Sequence, residues 1–205
     1  MKSFILLLTM KFWCALVAFL FSVTVFGREQ VHFDLFLFGN KIGTMTVSKH
    51  VSGDTVHYFL ESYSKAKVLW MNYEDVTYMK VKYVKAKLHS AYYKEDMNQK
   101  LKYLTDLSYD GNQYTVTTKN GTRNIVPDNY PSLLSLYFTE PLHTPKIYFE
   151  AQLFATPIEK KAPSHYVFKT KEGNENEYIY RNGKLDELIL HTSIATVKMK
   201  RVNRD

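Results

Sequence analysis

Residues 100–112 read KLKYLTDLSYDGN, and this stretch decides the fold class of the chain. Apolar or aromatic groups alternate with polar ones, which is typical of a half-buried β-strand. Leu104 is the exception to the alternation, and Asp110-Gly111-Asn112 ends the strand as a hairpin turn. One predicted face carries Leu101, Tyr103, Thr105, Leu107 and Tyr109, and the other carries Lys100, Lys102, Asp106 and Ser108.

The same pattern of alternation and turns recurs along the chain. The strongest hairpin signal is Asn182-Gly183, which separates residues 178–180 from residues 185–190. Counting the segments between turns predicts about a dozen strands, and their short connections favour antiparallel neighbours. The first of them, residues 31–38, is apolar on both faces apart from His32 and Asp34, so we expect it to be central or covered on both sides.

One segment, residues 132–138, breaks the alternation. Its apolar residues have the spacing of a helix face, and Pro131 and Pro141 flank it. We expect one short helix that packs against the concave face of the sheet or closes one end of it. The predicted fold class is therefore all-β, a large curved antiparallel sheet (an open or half barrel) with one short helix. The residues that we expect to contact a ligand there are Leu133, Leu134, Leu136, Tyr137 and Phe138.

The N-terminal residues 1–27 predict a secretory signal peptide that precedes a single β-rich domain, residues 28–205. Two lysines flank the start, an uncharged apolar run of about 15 residues follows, and Gly27 ends it. A retained anchor is the alternative, since residues 4–26 would suffice to span a bilayer if Lys11 were tolerated. Export and a mature domain without cysteine favour the periplasm or cell envelope of a Gram-negative bacterium. We expect a mature domain that does not span the membrane.

The charge of the chain is basic but scattered. The formal net charge is +7, and removing Lys2 and Lys11 leaves +5 for the predicted mature domain. Lysines two residues apart, such as Lys80 and Lys82, indicate the solvated face of a strand. Because no arginine-rich or aromatic motif groups these charges, we predict no nucleic-acid partner.

No catalytic signature is found in the sequence. The chain has no nucleophile elbow and no phosphate-binding loop, and its single cysteine, Cys14, lies in the predicted signal peptide. The seven histidines stand singly, without spacings that gather a metal. Glu140, which follows the predicted helix, is the acid of most interest. We therefore predict a non-enzyme with no metal and no cofactor.

Four stretches of the chain resemble a known family. They are residues 33–34 with 39–43, residues 66–68, residues 132–141 and residues 178–185. Together they are similar to an uncharacterised family of secreted, mostly Bacteroidetes-type proteins, grouped as a domain of unknown function. The resemblance covers nearly the whole mature chain. It implies a compartment and a β-rich fold, but no activity and no site.

Two functions are consistent with these observations. The first is a binding or carrier module that holds a lipid or other apolar or amphipathic ligand between the concave face and the helix. The alternative is a structural or interaction component of the cell envelope that uses exposed strand edges or the lysine-rich face.

Overall fold

The computed structural model describes residues 26–68, 70–192 and 195–202. Within these ranges the chain forms fifteen strands and one short 3₁₀ helix, Leu133–Tyr137. None of the helical structure in these ranges is long and apolar enough to span a membrane. The strands are β1 (Phe26–Leu37), β2 (Asn40–Ser52), β3 (Thr55–Val68), β4 (Met71–Val84), β5 (Lys87–Met97), β6 (Lys100–Tyr109), β7 (Tyr114–Thr118), β8 (Gly121–Ile125), β9 (Lys146–Phe149), β10 (Phe154–Pro157), β11 (Glu159–Ala162), β12 (His165–Lys169), β13 (Glu175–Arg181), β14 (Lys184–His191) and β15 (Thr196–Arg201).

Thirteen of these strands form one open antiparallel sheet, in the order β11-β12-β13-β14-β15-β1-β2-β3-β4-β5-β6-β7-β8. Sequence neighbours pair throughout, and the exception is the pairing of β1 with β15, in which Phe33 faces Arg201. β9 and β10 form a separate two-stranded sheet. The predicted all-β fold with one large antiparallel sheet is thus confirmed, and β1 is central as expected.

Tight turns with left-handed backbone connect the strands. Asn182 and Gly183 have φ of 53° and 74°, as the Asn-Gly signal predicts for a two-residue hairpin turn. The β4–β5 turn reaches the same conformation without glycine, since Lys85 and Ala86 have φ of 49° and 60°. That turn stores backbone strain, because a Cβ is disfavoured in this region.

The sheet curves around residues 130–157, which we call the inner segment. Phe168 of β12 packs its ring 6.3 Å from that of Phe149, while the Thr105 hydroxyl of β6 donates to the carbonyl oxygen of Ala151 at 2.9 Å. β12 and β6 are nine strand spacings apart, which would be about 40 Å in a flat sheet. Since both strands contact inner-segment residues two positions apart, the sheet must wrap around that segment.

A bulge changes the predicted faces of β6. Glu95 pairs with Tyr103 and Asp96 with Leu101, so Lys102 is the extra residue in the ladder. On the C-terminal side of the bulge the predicted alternation holds, since Thr105 and Leu107 are buried. On its N-terminal side the residues predicted to face outward face inward, and the reverse. Lys102, predicted on the outer face, lies on the concave face instead.

The predicted signal peptide overlaps the described residues only at Phe26 and Gly27. These two residues begin β1, and Gly27 pairs with Val51 of β2. The remainder of residues 1–27, including Cys14 and the predicted apolar run, lies outside the described residues.

Candidate functional site

The concave face of the sheet is packed at one end and open at the other. On β3, Tyr58 and Leu60 are buried, but the next inward-facing residues, Ser62, Ser64 and Ala66, are only partly buried. The same gradient occurs on β4 and β5, where burial decreases towards the β3–β4 and β5–β6 turns. The inner segment therefore fills one half of the concave face and leaves the other half unfilled.

The unfilled half contains a cavity of about 400 Å³. Volumes of 300–1,000 Å³ are usual for small-molecule sites. Its apolar wall extends from β14 and β15 through β1 and β2 to β3, and small side chains on β3 make the room for it. Members of this wall include Leu35, Met45, Ala66, Val197 and Met199.

Three of the five predicted ligand-contacting residues line this cavity. Leu133, Leu134 and Tyr137 face it from the 3₁₀ helix, whose first turn is capped by the Ser132 hydroxyl, which accepts from Leu134 N–H at 3.1 Å. The ring of Tyr137 also packs edge-on against Phe33 of β1 at 5.8 Å. The helical side chains thus form the floor between the cavity and the packed half.

The other two predicted residues lie elsewhere. Leu136 is buried on the opposite side of the helix, where its carbonyl oxygen accepts a hydrogen bond from the Tyr180 hydroxyl at 2.7 Å. Phe138 packs against Tyr58, with ring centroids 6.1 Å apart, and Lys49 lies over its ring. Both residues therefore anchor the inner segment to the sheet and do not line the cavity.

One wall of the cavity, formed by β4, β5 and β6, is polar and was not predicted. Lys102 Nζ donates to Glu95 Oε1 at 2.7 Å, and the Tyr93 hydroxyl donates to Glu95 Oε2 at 2.6 Å. The Thr77 hydroxyl donates to Asp75 Oδ2 at 3.0 Å. We call Asp75, Thr77, Tyr93, Glu95 and Lys102 the polar wall. The alternation around Lys102 could not reveal it, because the bulge shifts that residue to the concave side.

The two carboxyl groups of the polar wall have different surroundings. Burial, and next the charge of Glu95, raise the pKa of Asp75 to about 6. Although burial opposes it, the hydrogen bond to Glu95 raises the pKa of Lys102. Glu95 thus has a cation and a phenol as donors. The Asp75 carboxyl accepts a hydrogen bond from the hydroxyl of Thr77, and its protonated form can hydrogen-bond to Glu95.

A second buried acid, Glu150, fixes the inner segment to the sheet. Its side chain is fully buried, and the Tyr83 hydroxyl lies 3.2 Å from its Oε1 and 3.2 Å from the carbonyl oxygen of Tyr130. Burial raises the pKa of Glu150 to about 7. Residue 150 directly follows β9, and no alternation or motif in the sequence indicates its role.

The other candidate groups lie outside the lining of the concave cavity. The Glu140 carboxylate accepts a hydrogen bond from the Tyr166 hydroxyl at 2.9 Å. His165 and His191 both contact Glu177 on β13, each at 2.7 Å. Across the described ranges, no cluster of three or more histidine, cysteine or acidic residues could hold a metal ion.

A wider groove of about 740 Å³ lies between the β7–β8 hairpin and residues 126–129. Apolar and aromatic side chains such as Tyr109 and Val126 line it together with polar ones such as Asn112 and Asn124. It is a surface groove beside an edge strand, and none of the inner helix reaches it. The concave cavity is therefore the stronger candidate for a binding site.

An open antiparallel half-barrel that wraps around its own inner segment and keeps an amphipathic cavity is the class of protein defined by this fold and site. The chain belongs to the family described as a domain of unknown function (DUF6134), whose family model matches residues 33–202. Neither a curated protein nor a solved structure matches the chain at a significant level.

Proposed function

We propose that the protein is a non-enzymatic binding or carrier module for an apolar or amphipathic ligand. The observation that supports this proposal is the cavity of about 400 Å³ on the concave face, with an apolar wall and floor and one polar wall. Apolar pockets with a few convergent polar groups are the usual form of a small-molecule site. A single acyl chain with a small polar head is of the corresponding size and shape.

The alternative, a structural component that associates through its strand edges, has less support. The two edges of the sheet are β11 and β8, of four and five residues. β11 is fully exposed and carries Lys160 and Lys161, and β8 carries Arg123. Short, charged edge strands discourage pairing with other chains.

An enzyme is a second candidate, because Asp75 and Glu95 converge in the cavity. A carboxyl group with a pKa of about 6 beside a second carboxyl group is an arrangement suited to general acid–base catalysis. The carrier proposal has more support, because a general base must be able to accept a proton from the substrate. Lys102 and Tyr93 already donate hydrogen bonds to the two oxygens of Glu95. Native mass spectrometry distinguishes the two, since a carrier releases its ligand with unchanged mass.

A dye titration with cavity-filling variants tests the proposal. A solvatochromic naphthylamine dye should bind saturably to the wild-type protein. Ser62→Leu and Ala66→Leu place a larger side chain in the cavity and should weaken binding at least about tenfold. Ser108→Leu, the matched control on the exposed face of β6, should leave binding unchanged. Absence of saturable binding, or equal binding by all variants, would overturn the proposal.

We further propose that residues 1–27 export the chain to the periplasm or envelope of a Gram-negative bacterium and are then removed. The charged and apolar pattern of these residues supports this. N-terminal sequencing of the protein from fractionated cells should begin near Arg28. Recovery of the intact chain from the cytoplasm would refute export, and recovery of the intact chain from membranes would indicate the retained anchor.

A further inference from the structure

Charge is unevenly distributed in the concave cavity. Among the described residues that line it, three have acidic or basic side chains: Asp75, Glu95 and Lys102. All three lie on the polar wall, on adjacent strands β4, β5 and β6. The opposite wall and the helical floor are mostly apolar, and the polar residues among them, such as Ser62 and Asn176, are uncharged. A ligand in this cavity would therefore have its polar end against the polar wall and its chain across the cavity.

The polar wall has one more negative charge than positive. The one ammonium, Lys102 Nζ, lies 2.7 Å from Glu95 Oε1, and the Glu95 side chain is only 13% exposed. This pair is neutral as a unit. The half-buried Asp75 carboxyl forms no ion pair of its own among the described residues. Burial and the charge of Glu95 disfavour its ionised form, and the charge of Lys102 only partly offsets them.

Ionising a half-buried carboxyl group is costly when the nearest cation already binds another carboxylate, and a cationic group brought by a ligand lowers that cost. A ligand carboxylate would have the opposite effect. It would enter a wall that already holds two carboxylates, and to reach Lys102 it would have to displace Glu95. A neutral hydroxyl head group would have neither the attraction of a cation to Asp75 nor the repulsion that a carboxylate meets.

We propose that the cavity selects single-chain amphiphiles with a primary ammonium head group, which Asp75 binds directly. This inference rests on the proposed function and specifies the ligand class of that same cavity. The ammonium donates to the Asp75 carboxylate beside Thr77, and the chain lies against Met45, Leu133 and Leu134. The Glu95–Lys102 pair remains intact and excludes acids.

Displacement of the bound dye by ligands of equal chain length tests this proposal. Dodecylamine should displace the dye at a concentration at least about tenfold lower than dodecanol, because a charged hydrogen bond contributes 1.5–3 kcal/mol. Dodecanoate should be the weakest. A fourth ligand, lysophosphatidylethanolamine, distinguishes the sources of the ammonium. Stronger binding than dodecylamine indicates a phospholipid head group, weaker binding indicates a simple amine, and both results support the proposal.

Variants identify the residue that recognises the head group. Asp75→Asn should remove the preference for dodecylamine over dodecanol while dodecanol binding is kept. Glu95→Gln should free Lys102 and strengthen dodecanoate binding. Asp106→Asn, on the exposed face of β6, makes the same charge change outside the cavity and should alter nothing.

The outcomes separate this inference from the proposed function. If neither the dye nor any of the four ligands binds, the carrier proposal fails. If the ligands bind but dodecanol or dodecanoate equals dodecylamine in the wild type, the carrier proposal stands and the ammonium selectivity is wrong. Retention of the dodecylamine preference in Asp75→Asn would likewise overturn the role of Asp75.

Discussion

Glu150→Gln should make the protein more stable at alkaline pH and leave it unchanged at acidic pH. Glu150 is fully buried against Tyr83, and burial raises the pKa of its carboxyl from 4.5 to about 7. The protonated form is therefore favoured in the folded state. Its contribution to stability is fully present below about pH 4.5 and is lost as the pH rises through about 7.

The size of the effect follows from the two pKa values. Since one pKa unit corresponds to about 1.4 kcal/mol, the difference between 4.5 and about 7 lowers the free energy of unfolding by about 3 kcal/mol at pH ~8. Glutamine resembles the protonated acid in shape and in hydrogen-bonding capacity. The variant should thus exceed the wild type by about 3 kcal/mol at pH ~8 and equal it at pH ~4.

Urea denaturation followed by far-UV circular dichroism measures this difference across the pH range. Other groups also titrate there, including Asp75, so the informative quantity is the variant minus the wild type at each pH. Glu159→Gln, on the exposed strand β11, is the matched control and should show no pH-dependent difference. Parallel curves for Glu150→Gln and the wild type would show that the carboxyl titrates normally, and would refute the reasoning.

Three further changes test the packing and the turns, each by urea denaturation. Gly43→Ala should destabilise the protein by about 3 kcal/mol, because its Cβ would lie 2.0 Å from the carbonyl oxygen of Tyr63. Thr44→Ala, at the next and exposed position of β2, is the control and should cost less than about 1 kcal/mol. Equal effects of these two changes would contradict the close approach of β2 to β3. Leu134→Ala removes a fully buried side chain from the helical floor and should cost about 2–5 kcal/mol, so a loss near zero would mean that the inner segment is not packed as described. Ala86→Gly should stabilise the protein by up to about 1 kcal/mol, since Ala86 has φ of 60°, and destabilisation would indicate that the turn is not strained.

Local patterns predicted much of the fold, and the β6 strand shows where they fail. The alternation of residues 100–109 and the turn after it gave the correct element and the correct face for Thr105 and Leu107. It placed Lys102 on the wrong face, because a bulge arises from the pairing of two strands and leaves no mark within one of them. The same bulge brings Lys102 to Glu95 and so creates the polar wall.

Only part of the candidate site was predicted, because it too depends on how separate elements pair. Helical spacing identified residues that pack onto the sheet, and three of the five named residues line the cavity. Spacing along one element cannot distinguish the cavity side from the opposite side, so Leu136 and Phe138 were grouped with them. Asp75, Glu95 and Lys102 meet only because three strands align in one register, which no single stretch of sequence displays.

The sequence by itself determined the elements: alternation sets strands, and Asn-Gly and similar pairs set antiparallel hairpins, because both depend on residues that are close along the chain. The tertiary structure alone decided that β1 pairs with β15, that the sheet curves around the inner segment, and that one half of its concave face stays unfilled. These features depend on contacts between residues far apart in sequence, such as Phe149 with Phe168. Their strength is set by burial and by the matching of shapes in three dimensions, and for this reason the cavity and its polar wall emerge only when the sheet is assembled.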